Sequence, residues 1–180
     1  MGGYEDVLNS LNPAEKNGKK AAVIGGGPAG MACAYYLAKA GTEVTLYEKT
    51  DSLGGVVRHV IPEFRIPAAS VEKDASFLRK LGVDIQLNVE IENAQALRKQ
   101  GYDAVILAVG ASKPGELSLE KGGVINALEF LKEFKEKDGD VMIGKNVAVI
   151  GGGNTAMDTA RAAKRTKGVE HVYLVYRKIG

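Results

Sequence analysis

The hexapeptide Ala22-Val-Ile-Gly-Gly-Gly27 recurs as Ala148-Val-Ile-Gly-Gly-Gly153. An apolar, β-branched run precedes each copy and small residues at helical spacing follow it, so the surroundings repeat along with the letters. A glycine turn that ends a strand and opens a helix suits a phosphate, because the unpaired N–H groups and the dipole at a helix start both favour an anion. Two such turns predict two dinucleotide sites on one chain.

Composition narrows the partners. With 24 basic and 22 acidic residues interspersed, the net charge of +2 provides no broad basic field for nucleic acid or an anionic membrane. The uncharged run from Ala21 to Ala38 is broken by Gly25-Gly-Gly-Pro28 where a strand would turn, which argues for a β-turn-α unit and against a membrane helix. The N-terminus lacks the basic start and apolar core of a signal peptide, so a cytoplasmic location is expected. Cys33 is the single cysteine, which excludes a disulfide, an iron-sulfur ligand set or a redox dithiol built within this chain. His59 and His171 are separated in sequence and have no neighbouring Cys or paired His, and no metal site is expected.

The pattern predicts a polar leader over 1–19, a first nucleotide domain over 20–112, a crossover loop with an amphipathic helix over 113–144, and the first βαβ unit of a second nucleotide domain over 145–180. Strands are expected at Lys20–Gly25, Glu43–Tyr47, Val83–Leu87, Tyr102–Val109, Lys145–Ile150 and Val169–Tyr176. Helices are expected from Pro28 to about Ala40, over Ala68–Leu81, about Ala94–Gln100, about Asn126–Lys137 and Thr155–Lys164, with Asp51–Pro67 a loop. The Tyr102–Val109 strand is almost wholly apolar, as in a parallel sheet covered on both faces. The fold class is therefore α/β, a Rossmann-like doubly wound domain followed by the start of a second one. A lone βαβ unit cannot cover its own sheet, so the chain reads as a piece of something larger whose open sheet edge favours self-association.

In Gly25-x-Gly27-x-x-Gly30 the first glycine makes the tight turn, the second lets backbone approach a pyrophosphate, and the third lets helix and strand pack closely. Pro28 and Ala29 complete the turn. Glu48 ends the next strand near the offset of roughly 20 residues at which an acid receives ribose hydroxyls. The second copy, Gly151-x-Gly153-x-x-Ala156, has the permitted alanine in third place. Its following strand ends in Arg177-Lys178 instead of an acid, and a guanidinium there pairs with a 2′-phosphate that a carboxylate would repel. Gly139 to Asn146 approaches a triphosphate-binding loop but lacks the closing Ser/Thr and precedes a strand.

Taken in order, Gly25-Gly-Gly-Pro-Ala-Gly30, Glu48-Lys49, Leu53-Gly-Gly55, Ile61-Pro-Glu-Phe-Arg-Ile-Pro67, Leu107-Ala-Val-Gly110 and Gly151-Gly-Gly-Asn-Thr-Ala-Met-Asp158 resemble the glutamate synthase small-subunit family. That family includes the flavin half of dihydropyrimidine dehydrogenase and selenate-reductase-type iron-sulfur subunits. The resemblance runs from about Lys20 to the end. It implies that the first module binds FAD through its turn, Glu48 and Lys49, with Gly54, Gly55, Val56 and Arg58 lining the cofactor and Ala108, Val109 and Gly110 passing close by. It implies that Gly151, Gly152, Gly153, Asn154 and Thr155 hold the NADPH pyrophosphate and that Arg177, with Lys178, meets its 2′-phosphate. The implied activity is hydride transfer from NADPH to FAD, with electrons leaving through iron-sulfur centres or an acceptor on another domain or subunit. The family's cysteine-rich cluster region and the closing part of its NADPH domain are not found in these residues, so the piece alone is expected to be inactive.

Flavin disulfide reductases share the two-turn layout but need a cysteine pair beside the flavin. Flavin monooxygenases share it too, yet no Phe-x-Gly-x-x-x-His segment lies between the turns. A non-catalytic nucleotide-binding or assembly module of a larger oxidoreductase is the alternative from a different class.

Overall fold

The structure is a computed structural model that describes residues 3–111 and 123–177. It divides into two compact units, one of residues 3–58 and 68–110, the other of residues 59–67, 111 and 123–177.

In the first unit, strands β1 (Lys20–Ile24), β2 (Glu43–Glu48), β3 (Asp84–Leu87) and β4 (Ala104–Leu107) form a parallel sheet in the order β3-β2-β1-β4. β1 is central, and its Ala21-Ala-Val-Ile24 run is buried on both faces, as an interior parallel strand requires. Ile24 pairs with Tyr47 on one side and Leu107 on the other, so the carboxyl ends of β1, β2 and β4 line up. The strand order reverses at β1, the position where α/β sheets place ligands.

Helix α2 (Pro28–Lys39) crosses this sheet, with Pro28 opening its first turn. It buries Gly30, Met31, Ala34 and Ala38, and the glycine and alanines among them let it lie close to the strands. α4 (Ala68–Lys80) packs beside it through Val71, Ala75 and Leu78. On the opposite face, α5 (Ala94–Arg98) covers Ala22 and Ile24 with Leu97. β4 departs from the expected two-sided burial: Ala104 and Leu107 are exposed, because β4 pairs with β1 alone among the described strands.

Two helices lie where none was expected. α1 (Tyr4–Ser10) falls within the polar leader, and the segment is part of the first unit. Tyr4 meets Phe77 edge-on at 5.4 Å and bonds through its hydroxyl to Ser76, while Leu11 is buried in the main core. A seven-residue helix held by distant partners leaves no periodic signal of its own. α3 (Gly55–His59) lies in the expected 51–67 loop.

The second unit contains β5 (Asn146–Ile150), α7 (Asn154–Arg165) and β6 (His171–Val175), with β5 and β6 parallel. α6 (Ala127–Glu136), expected as part of a crossover, packs on α7 within this unit. Phe130 and Leu131 meet Ala162 and Ala163 in its core. Segment 59–67 joins this unit although it was expected in the first domain: Val60 and Phe64 pack into the same core. Lys135 donates to the Ile61 carbonyl at 2.8 Å and pairs with Glu63 at 3.3 Å. The Phe64 ring lies under the guanidiniums of Arg161 and Arg165, at 4.5 and 4.4 Å from its centroid. No helix among the described residues is long and apolar enough to cross a membrane.

Candidate dinucleotide sites

In the first unit the expected residues converge on the carboxyl ends of β1, β2 and β4. Gly25 turns with φ +106°, and a Cβ there would lie 2.7 Å from the Ala108 carbonyl carbon, so the backbone of β4's exit forms one wall of the turn. A Cβ on Gly30 would lie 3.0 Å from the Gly25 carbonyl carbon and closer still to its oxygen, which fixes glycine in the third place. Gly27 differs: the nearest atom to its absent Cβ is the Gly55 Cα at 4.0 Å, so this backbone faces open space. The Gly54 N–H donates to the Gly26 carbonyl at 2.8 Å and brings the second glycine pair alongside the first turn.

Glu48 is buried, and its carboxylate is already engaged. Oε2 accepts the Gly26 N–H at 2.7 Å; Oε1 accepts the Thr50 N–H at 2.8 Å and the Thr50 hydroxyl at 2.9 Å. The residue expected to meet a ribose therefore also fastens the glycine turn, and Thr50 holds its other carboxylate oxygen, which no spacing rule signals. Lys49, Val56, Val109 and Gly110 are exposed. Arg58 pairs with Glu72 at 3.3 Å, and the Arg79 guanidinium, with Arg58 adding, holds the Glu72 carboxyl below its usual range. Beside Glu48, Tyr47 bonds the Tyr102 hydroxyl at 2.9 Å, and burial, reinforced by that bond, pushes its pKa up to about 12. Cys33 packs half-buried against the core, and burial pushes its thiol up, away from a reactive thiolate.

The second unit repeats the arrangement. Gly151 turns with φ +133° and donates to the Val175 carbonyl at 2.8 Å. Nothing lies within 4 Å of a Cβ built on Gly153. Ala156 is buried against the turn, and its methyl has the room that Gly30 lacks in the first unit. Tyr176 approaches Gly152, and Arg177 follows it, exposed, past the end of β6. Lys178 lies outside the described residues.

The helix starts show what these sites can bind. α5 and α6 are capped by Asn93 and Asn126, whose side chains accept from Gln95 and Leu128. α2 and α7 have Gly27 and Gly153 at their N-cap positions and no side-chain cap. Their first-turn N–H groups, those of Ala29 and Gly30 in one and of Asn154, Thr155 and Ala156 in the other, lack intrahelical partners. Each faces a space that a Cβ at the second glycine would fill. Bare donors, a dipole and an open approach suit a pyrophosphate.

The model of the pyridine nucleotide-disulphide oxidoreductase family matches residues 19–179. The chain belongs to that family. The family's architecture binds a flavin and a nicotinamide nucleotide, and the fold described above is its Rossmann-like α/β form. Among curated proteins, the chain is 43% identical over 160 residues to "Putative oxidoreductase YgfK" of Escherichia coli K12, covering 87% of the chain and 15% of the relative. It is 40% identical over 188 residues to the NADPH-Fe(3+) oxidoreductase subunit beta of Geobacter sulfurreducens, covering 97% and 28%. It is 37% identical over 160 residues to the NAD-dependent dihydropyrimidine dehydrogenase subunit PreT of Escherichia coli K12, covering 87% and 39%. The resemblance drawn from the motifs, which named dihydropyrimidine dehydrogenase, stands. The chain spans well under half the length of these relatives. A solved structure, histamine dehydrogenase from Rhizobium sp. 4-9, shares the fold with a TM-score of 0.63 at 20% identity, covering 93% of this chain and 26% of that one.

Proposed function

We propose that the first unit binds FAD, that the second binds NADPH, and that the chain is the NADPH-oxidising, flavin-bearing part of a larger oxidoreductase whose acceptor centres lie on other domains or subunits. The observation that carries this is the pair of uncapped helix starts, each behind a positive-φ glycine at the carboxyl end of a parallel strand. A bound flavin would supply hydride acceptance and one-electron release.

The chain's own residues bind and orient. Gly25 to Gly30 present backbone donors to one pyrophosphate, and Glu48, with lone pairs to spare beyond its three bonds, takes the adenosine ribose. Gly151 to Thr155 present donors to the second pyrophosphate. Arg177, with Lys178, supports a 2′-phosphate and so a preference for NADPH. Relatives named as NADPH-Fe(3+) oxidoreductase and dihydropyrimidine dehydrogenase subunits support a partner that receives the electrons, since both are subunits of larger assemblies. A cytoplasmic location fits an NADPH consumer.

The purified chain titrated with FAD and, separately, with NADPH, each followed by its own fluorescence, tests the proposal. Saturable binding of both is expected. Failure to bind either would favour an assembly module that keeps the fold without the chemistry.

A further inference from the structure

Asp158 lies on α7 one turn beyond Asn154, on the same helix face, and its side chain is only 10% exposed. A buried carboxylate this close to an anion-binding helix start opposes the ligand that the start is built to hold. One cation answers it. Arg65, from the segment that joins the second unit, places Nε 3.2 Å from Oδ1 of Asp158. The cations of α7 itself are turned elsewhere: Arg161 and Arg165 lie on the Phe64 ring, and Lys164 donates to the Glu170 carbonyl.

We propose that Arg65 is a positioning residue of the nicotinamide-nucleotide site, neutralising Asp158 so that the start of α7 keeps its affinity for a dinucleotide pyrophosphate. This rests on the assignment of a nucleotide to the second unit. Asp158 stands four residues, about 6 Å of helix rise, from Asn154. An uncompensated unit charge roughly 10 Å from even one of the two negative charges of a bound pyrophosphate, at an effective dielectric of about 20, shifts affinity by about tenfold or more. Phe64 and Lys135 hold the segment to α6 and α7 independently, so the Arg65 guanidinium can be removed while the segment stays anchored.

Charge compensation and a simple tether differ in sign. A tether is cut equally by losing either partner. Compensation makes the two losses opposite: Arg65→Ala leaves a bare carboxylate, whereas Asp158→Asn leaves a bare guanidinium. The test is NADPH binding to the full chain, read by NADPH fluorescence at low ionic strength, with melting temperatures recorded in parallel. Arg65→Ala is expected to weaken NADPH by about tenfold, Asp158→Asn to tighten it, and the double variant to return to within about threefold of wild type. Arg65→Lys should hold near wild type because it keeps the charge. Equal weakening by both single variants, or no change in either, overturns the proposal. Should Arg65→Ala fail to fold, Asp158→Asn and Arg65→Lys decide the matter, since a weakened Asp158→Asn is the tether's signature. A wild-type chain that binds no NADPH overturns the nucleotide assignment together with this inference, whereas binding by wild type with unaltered variants overturns the inference alone.

Discussion

Gly30→Ala is the sharpest perturbation of the first unit, because the second unit holds the control. A methyl at position 30 would sit 3.0 Å from the Gly25 carbonyl carbon and nearer to its oxygen, and a carbonyl within a tight turn cannot rotate aside as a side chain would. Relief requires the turn to open, which strains the Gly26 N–H bond to Glu48 at 2.7 Å and the Gly54 N–H bond to Gly26 at 2.8 Å. Overpacking alone costs about 1–3 kcal/mol, and weakening a charge-assisted bond adds to it. A total of about 3 kcal/mol corresponds to roughly two decades in affinity, and it falls on the turn proposed to cradle the flavin pyrophosphate. The mirror change, Ala156→Gly, creates no clash and costs about 1 kcal/mol at most through helix propensity. FAD fluorescence titration and thermal melts of both variants provide the comparison. Gly30→Ala should lose FAD about a hundredfold while Ala156→Gly leaves FAD binding alone. A Gly30→Ala protein that binds FAD within about threefold of wild type would show that the turn is slack, and would sink the steric argument.

Three further outcomes are expected. Glu48→Ala should both weaken FAD and lower the melting temperature without ligand, because the carboxylate fastens Gly26 and Thr50; a loss of FAD affinity with unchanged apo stability would contradict the second role. Arg177→Ala should cost roughly 1.5–3 kcal/mol of NADPH binding, one to two decades, and little of NADH binding, and an unchanged ratio of the two removes Arg177 from the site. Cys33→Ser should leave NADPH-dependent dye reduction intact in a full-length protein carrying this chain, and alkylation of Cys33 at about pH 8 should lag a free thiol, since burial raises its pKa; abolished flavin reduction in a folded Cys33→Ser protein would refute this.

Much of the fold was legible because its signals are local. The two glycine turns, the β-branched runs and the small-residue faces of α2 and α7 each lie within a few consecutive residues. What escaped depends on partners far along the chain. Tyr4 and Leu11 are fixed by α4 and the main core, and nothing in the first nineteen residues announces that. Segment 59–67 carries two prolines and no periodicity, so it read as a loop, and its place is set by Phe130, Ala162 and the α7 guanidiniums. Glu48 was found by its offset from the turn, whereas its bond to Gly26 requires the fold. The resemblance puts Arg58 beside the cofactor, and its pairing with Glu72, fourteen residues on, likewise requires the fold.

The allegiance of segment 59–67 to the second unit also orders events on the ribosome. Phe64 has its place only when Arg161 and Arg165 exist to sit over it, and these are made roughly a hundred residues later, an interval of about 5–20 s at usual rates of synthesis. Through that interval an apolar segment stays tethered to a first unit that is still gaining its last strand. Slow translation across 68–165 would prolong its exposure to chaperones, so the second half of the message governs how safely the middle of the chain is delivered.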